Sequence, residues 1–167
     1  MNKKLHKITA TAVFSAMIFV LTFAIKFPAA SGYVHMGDSL LYLCTLIMGS
    51  PWGMIAGAIG EGFADVAGGY VAYAPATVIV KVLAALPFVY VRKKSAKLFS
   101  LPSVIASVIA GVINTAGYFA ADLIISKAYA FVDIPGNLIQ ALASAVIFII
   151  IALALDKVKI LDKINIQ

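Results

Sequence analysis

Ten of the thirteen lysines and arginines in this 167-residue chain sit at three junctions between long apolar segments. They are Lys3, Lys4 and Lys7; Arg92, Lys93, Lys94 and Lys97; and Lys157, Lys159 and Lys163. Basic residues gathered at the ends of apolar runs are the pattern that orients membrane proteins, with the basic side facing the cytoplasm. Composition leads the same way. The chain is 63% hydrophobic and 12% charged, with a mean hydropathy of +1.04, whereas soluble domains run about 45–50% apolar and about 25% charged. A soluble fold of this length could not cover so much apolar surface, and disorder is excluded on the same ground. Cys44 is the only cysteine, so no disulfide framework exists. The net charge of +6 would suggest nucleic acid in a soluble protein. Here no folded basic domain stands behind it, and no nucleic-acid partner is expected.

A spanning helix needs about 20 apolar residues. The apolar runs predict helices over 8–27, 75–91, 102–127 and 135–155. Pro75 suits a first helical turn, where its missing N–H costs nothing. The stretch between Asp38 and Val66 is interrupted by Gly49-Ser50-Pro51-Trp52-Gly53, which reads as a turn. Two short helices over 39–49 and 52–67 are preferred to one kinked span, because two crossings return the Arg92–Lys97 cluster to the side of Lys3, Lys4 and Lys7. The expectation is therefore an all-α integral membrane bundle of six transmembrane helices, a single domain over 1–167 with both termini cytoplasmic. The outer loops would be 28–37, 67–74 and 128–134, whose bodies hold no Lys or Arg. The basic start before an apolar run also has the outline of a signal peptide, but the run is long for one.

Ionisable groups inside a membrane cost roughly 2.5–3.5 kcal/mol each on insertion scales, so they mark sites or pathways. Glu61 and Asp65 share a helix face, as do Thr77 and Lys81. Asn114, Tyr118 and Asp122 form an i, i+4, i+8 stripe, and Asn137, Gln140 and Ser144 an i, i+3, i+7 stripe. At about 1.5 Å per residue these positions fall in the outer half of the bilayer, from roughly 8 Å deep at Gln140 to roughly 20 Å at Asn114. The inner half of the same helices is almost purely apolar. The pattern describes a cup opening outward; a channel would need polar lining at both depths. His35 and Asp38 before the second helix, with Tyr70 and Tyr73 before the fourth, supply material for its rim, and tyrosine faces suit a flat heterocycle.

Each feature has a plainer alternative. Lys81 would pair with Glu61 or Asp65 simply to join two helices. Tyr70 and Tyr73 would be interfacial anchors. Asn114, Asn137 and Gln140 would be interhelical hydrogen-bond glue. Asp122 and Asp133 read as near-surface residues. Gly53-Met54-Ile55-Ala56-Gly57 and Ala12-Val13-Phe14-Ser15-Ala16 carry small-residue spacing that permits close helix approach.

No phosphate-binding loop of the G-x-x-x-x-G-K-[ST] type, no H-E-x-x-H and no G-x-S-x-G occurs. His6 and His35 fall on opposite sides of the expected membrane, so no metal site is expected. Asp38 with Asp65 could suggest an intramembrane aspartyl protease, but a lysine lies among them. The chain is not expected to be an enzyme.

The residues from Tyr33-Val34-His35-Met36-Gly37-Asp38, through Gly49-Ser50-Pro51-Trp52-Gly53 and Phe63-Ala64-Asp65, to Gly69-Tyr70, Tyr73-Ala74-Pro75-Ala76-Thr77 and Lys81 resemble the S components of energy-coupling factor (ECF) vitamin transporters. The nearest group is the small riboflavin- and hydroxymethylpyrimidine-type S components. Ile134-Pro135-Gly136-Asn137-Leu138-Ile139-Gln140 resembles the start of their last helix. The resemblance implies a bacterial, multi-pass cell-membrane subunit that captures a vitamin from outside, with no cofactor of its own. Its partners would be the lipid bilayer, a transmembrane coupling subunit and two ATPases. It also implies that Ala12 and Ala16 face the coupling subunit, and that Tyr33, Val34 and Tyr70 belong to a lid.

The substrate-binding set expected from both lines is His35, Asp38, Glu61, Asp65, Tyr73, Thr77, Lys81, Asn114, Tyr118, Asn137 and Gln140. Asp38, Glu61 and Asp65 against Lys81 leave an acidic cup, which favours cationic or amine-bearing ligands over phosphates. A hydroxymethylpyrimidine or vitamin B6-like compound is the first expectation and riboflavin the second. Two other classes stand beside this reading: a standalone proton-coupled carrier using Glu61, Asp65 and Lys81, and a membrane adaptor without a ligand. Carriers of the former kind are mostly larger and carry internal repeats.

Overall fold

In the computed structural model, residues 3–28, 33–95 and 97–163 are described. The first helix, α1, covers Lys3–Phe23; strands β1 (Lys26–Pro28) and β2 (Tyr33–His35) follow. Then come helices α2 (Gly37–Met48), α3 (Trp52–Gly68), α4 (Ala74–Arg92), α5 (Leu101–Ile125), α6 (Ile134–Lys157) and the short α7 (Ile160–Lys163). Four of these, α1, α4, α5 and α6, are long and apolar enough to cross a membrane. Their outer faces carry bare apolar side chains, such as Ile79, Val108, Leu142 and Ile150, each more than 60% exposed. A surface of that kind is stable against lipid and not against water.

Helix α2 has only 12 residues, and every one of them is buried. It is the central post of the bundle, enclosed by α1, α3, α4 and α6. Small residues on α3 allow this. A Cβ added at Gly53 would lie 2.4 Å from the Cα of Thr45, and one at Gly57 would lie 2.2 Å from the Leu41 side chain. On the opposite face a Cβ at Gly60 would meet the backbone oxygen of Ser15 at 2.7 Å. Glycine at these positions lets α3 lie against both α2 and α1, as the small-residue spacing anticipates.

The helical membrane architecture is as expected, with one shift in bounds: the first helix starts at Lys3 and ends at Phe23, not over 8–27. A small β-hairpin accompanies the helices, in which Lys26 pairs with His35, Phe27 with Val34 and Pro28 with Tyr33. Pro28 disfavours helix at the residue before it, and the stretch 24–28, apolar apart from Lys26, reads equally well as strand. The other helices lie within two residues of the expected bounds, within the usual uncertainty of helix ends. Pro75, Pro102 and Pro135 each sit in a first turn.

The chain runs so that the hairpin, the 69–73 turn and the 126–133 segment share one end of the bundle, and residues 3 and 163, the first and last described, share the other. At the terminal end Arg92 donates to the carbonyls of Leu46 and Ile47, capping α2. There too the Asp156 carboxylate accepts the backbone N–H groups of Leu98 at 3.0 Å and Phe99 at 2.8 Å. Both contacts satisfy backbone groups that a helix end or a loop leaves open.

Candidate functional site

At the hairpin end a cleft opens whose empty space, mouth included, is about 710 Å³. It is lined by the hydroxyl-bearing rings of Tyr33, Tyr70, Tyr73 and Tyr118, the carboxylates of Asp65, Asp122 and Asp133, and the amides of Asn137 and Gln140.

Beneath it lies a layer of buried polar side chains drawn from five elements. Lys81, with no exposed surface, places its ammonium 2.7 Å from Asp38 Oδ1, 3.1 Å from Glu61 Oε2 and 3.2 Å from Asn114 Oδ1. The Gln140 amide donates to Asp38 Oδ2 at 2.8 Å and accepts the His35 backbone N–H at 2.7 Å. Asp38 therefore holds two charge-assisted partners, and the layer is cross-braced between α2, α3, α4, α5 and α6. Glu61 is 1% exposed and makes its ion pair with Lys81 without a hydrogen bond.

His35 closes this layer from above. Its Nδ1 accepts the Gly37 N–H at 3.1 Å, which leaves Nε2 as the protonated nitrogen, 3.7 Å from Glu61 Oε2. Burial pushes the His35 pKa down to about 4; the Asp38 charge opposes this and the Lys81 charge adds to it. The donor atoms of His35, Asp38 and Glu61 lie within 4.8 Å of one another, a spacing that a metal could use. The Lys81 ammonium occupies the cationic place between the two carboxylates, and both Glu61 oxygens are left without a hydrogen bond.

A second tier joins lid to wall. Asp65 accepts the hydroxyls of Tyr33 at 3.1 Å and Thr77 at 2.5 Å, and Thr77 lies 3.1 Å from the Tyr118 hydroxyl. Burial and the Asp65 charge push the Tyr33 pKa up, so its hydroxyl stays a donor. Tyr33 also meets Tyr70 ring to ring at 5.4 Å. Towards the mouth Tyr73 donates to Asp122 at 2.7 Å. Below the ion-pair layer Tyr42 stacks on Phe88 at 4.5 Å, and Phe148 meets both edge-on at 6.0 and 5.4 Å. These three rings close the cleft from the terminal end of the bundle.

Of the expected site residues, His35, Asp65, Tyr73, Lys81, Tyr118, Asn137 and Gln140 line the cleft. Asp38, Glu61, Thr77 and Asn114 lie in or beside its buried supports. Among the expected lid residues Tyr33 and Tyr70 line it, whereas Val34 pairs with Phe27 on the hairpin. Lys81 pairs with Asp38 and Glu61, not with Asp65. Asp122 and Asp133, read from sequence as near-surface residues, line the cleft, and Asp122 is only 2% exposed. The signal for Asp122 was its place in the Asn114–Tyr118 stripe; Asp133 and Gly136 had no comparable signal. Ala12 and Ala16 lie on an exposed face of α1.

The sequence model of the family described as ECF-type riboflavin transporter, S component, matches residues 2–157. The chain belongs to that family. Searches among curated proteins and among solved structures returned no match. ECF S components are substrate-binding membrane subunits and not enzymes. They work with other ECF transporter components on a vitamin substrate, in a multi-pass arrangement in the cell membrane.

Proposed function

We propose that this S component captures a small flat vitamin or vitamin precursor, of hydroxymethylpyrimidine or vitamin B6 type, from outside the cell for an ATP-driven ECF importer. The observation that carries the reading is the cleft's lining: four tyrosine rings around a wall of carboxylates and amides, closed below by an ion-pair layer and three aromatic rings. Tyrosines offer flat apolar contact with one hydroxyl each, and amides and carboxylates read ring hydroxyls and amines. The substrate-binding side chains are His35, Asp65, Tyr73, Tyr118, Asn137 and Gln140. Asp38, Glu61, Thr77, Lys81 and Asn114 hold them in place. Tyr33 and Tyr70 serve as lid.

In this reading the single domain crosses the bilayer six times, with α2 and α3 as short spans sheltered by neighbours, both termini cytoplasmic and the cleft facing outward. A coupling subunit docks on the exposed Ala12 and Ala16 face of α1, and two ATPases supply the energy. The bound vitamin is the substrate, with no resident cofactor. A second reading, riboflavin as substrate, is favoured by the name of the matching family.

Native mass spectrometry of the protein purified from rich medium, followed by titration with hydroxymethylpyrimidine, pyridoxine and riboflavin, tests both. Tight binding of either of the first two supports the first reading. Riboflavin alone supports the second. Saturable uptake by vesicles containing only this chain would overturn both in favour of a standalone carrier.

A further inference from the structure

The geometry points to an amine or a protonated ring nitrogen as the ligand group recognised at the mouth of the cleft, seated against Asp122 and Asp133. This rests on the reading of the cleft as a vitamin site and specifies the charge of what it takes.

The first observation is that, among the described residues, the cleft offers no spare cation. Of these, Lys81 is the one lysine or arginine that lines it. An ammonium has three N–H donors, and those of Lys81 face Asp38, Glu61 and Asn114 at 2.7, 3.1 and 3.2 Å. A phosphate or carboxylate entering the cleft would meet nothing able to neutralise it. Lys26 holds its ammonium over the rings of Phe23 and Tyr33, and Lys127 is exposed. Neither lines the cleft.

The second observation is an unevenly used carboxylate. Asp65 has both oxygens engaged by hydroxyls, from Tyr33 and Thr77. Asp122 is 2% exposed, lines the cleft, and receives a hydrogen bond on Oδ1 alone, from Tyr73 at 2.7 Å. No hydrogen bond reaches its Oδ2 among the described residues. An unpaired carboxylate oxygen on the cleft wall can accept from a donor or pair with a cation that enters. Asp133 lines the same wall beside Gly136 and Asn137, adding a second negative charge. Tyr73 and Tyr70 line the same cleft, and aromatic faces attract cations.

The sequence suggests an amine-bearing ligand from Asp38, Glu61 and Asp65 against Lys81, but Asp38 and Glu61 share the Lys81 cation and neither lines the cleft. The preference is carried by Asp122 and Asp133 at the mouth.

The test is equilibrium binding by the purified full chain in detergent, with pyridoxamine, pyridoxine, pyridoxamine 5′-phosphate and riboflavin as probes. The first two share a ring and differ by an amine in place of a hydroxyl. Pyridoxamine is expected to bind about tenfold more tightly than pyridoxine, as a charge-assisted hydrogen bond exceeds a neutral one. The phosphate ester should bind more weakly than pyridoxamine. Asp122→Asn should bring the pyridoxamine-to-pyridoxine ratio close to one, and Asp133→Asn should reduce it. If Asp122→Asn does not fold, the Asp133→Asn comparison decides. Equal affinities in the natural chain, or a ratio unchanged in both variants, would overturn the inference. Tight riboflavin binding without an amine preference would overturn it while leaving vitamin capture in place. Failure of all four probes to bind would overturn both.

Discussion

The side chain of Gln140 accepts the backbone N–H of His35 at 2.7 Å, across a separation of 105 residues. The same amide donates to Asp38 Oδ2 at 2.8 Å. The roof of the cleft is thus tied through one side chain to the charged layer under it.

Gln140→Ala should leave the His35 N–H and one Asp38 oxygen without partners. Each unmet buried group costs about 1–3 kcal/mol. The variant is expected to unfold at a lower temperature in detergent and to release bound ligand faster. Thermal unfolding and a dissociation time course check the two effects separately.

Lys81→Met should be more damaging, because it leaves Asp38 and Glu61 buried without their cation. Breaking a buried pair on one side costs about 3–5 kcal/mol. Removing all three charges together, in Asp38→Asn/Glu61→Gln/Lys81→Met, should recover much of the loss. Folded yield after size-exclusion chromatography would show it; a triple variant no better than the single one would mean the layer is not held by charge.

His35 gives the chain an acid limit. Its pKa is lowered to about 4 in the fold by burial, from an ordinary value of 6.5. Below pH 6.5 the unfolded chain takes up a proton that the folded chain refuses, so stability falls as pH drops from about 6.5 to about 4, and this contribution is flat above 6.5. The unfolding midpoint measured against pH should follow that slope, and His35→Gln should flatten it.

Gly53→Ala tests the close approach of α3 to α2. Its Cβ would lie 2.4 Å from the Cα and 2.8 Å from the nitrogen of Thr45, and backbone cannot step aside as a side chain can. Overpacking of this kind costs about 1–3 kcal/mol. A lowered unfolding midpoint is expected; an unchanged one would mean that the two helices can move apart freely.

Ala12→Leu, on the exposed face of α1, should leave the unfolding midpoint within error and weaken co-purification with a coupling subunit. A loss of stability without a loss of assembly would contradict the proposed docking role.

Much of this architecture is legible in the sequence because its punctuation is chemical. Prolines open α4, α5 and α6, and Gly49-Ser50-Pro51 divides α2 from α3. Helical spacing also brings Thr77 with Lys81, and Asn114 with Tyr118, onto faces that meet polar partners. Spacing names a face, however, and not what covers it. It could not place Asp38 and Glu61 beneath the cleft instead of on its wall, since that depends on α2 being enclosed on all sides. Nor could it place Asp133, which sits at the N-cap of α6 where only the path of the 126–133 segment decides its direction. The hairpin was hidden because Ala24-Ile25-Lys26-Phe27-Pro28 suits a strand as well as a helix end.

Tyr42, Phe88 and Phe148 have one further consequence. A molecule admitted at the hairpin end meets interlocked aromatic rings from α2, α4 and α6 on the far side. To pass them it would need α2 to part from α4 and α6, so the cleft as folded is a vestibule with one door.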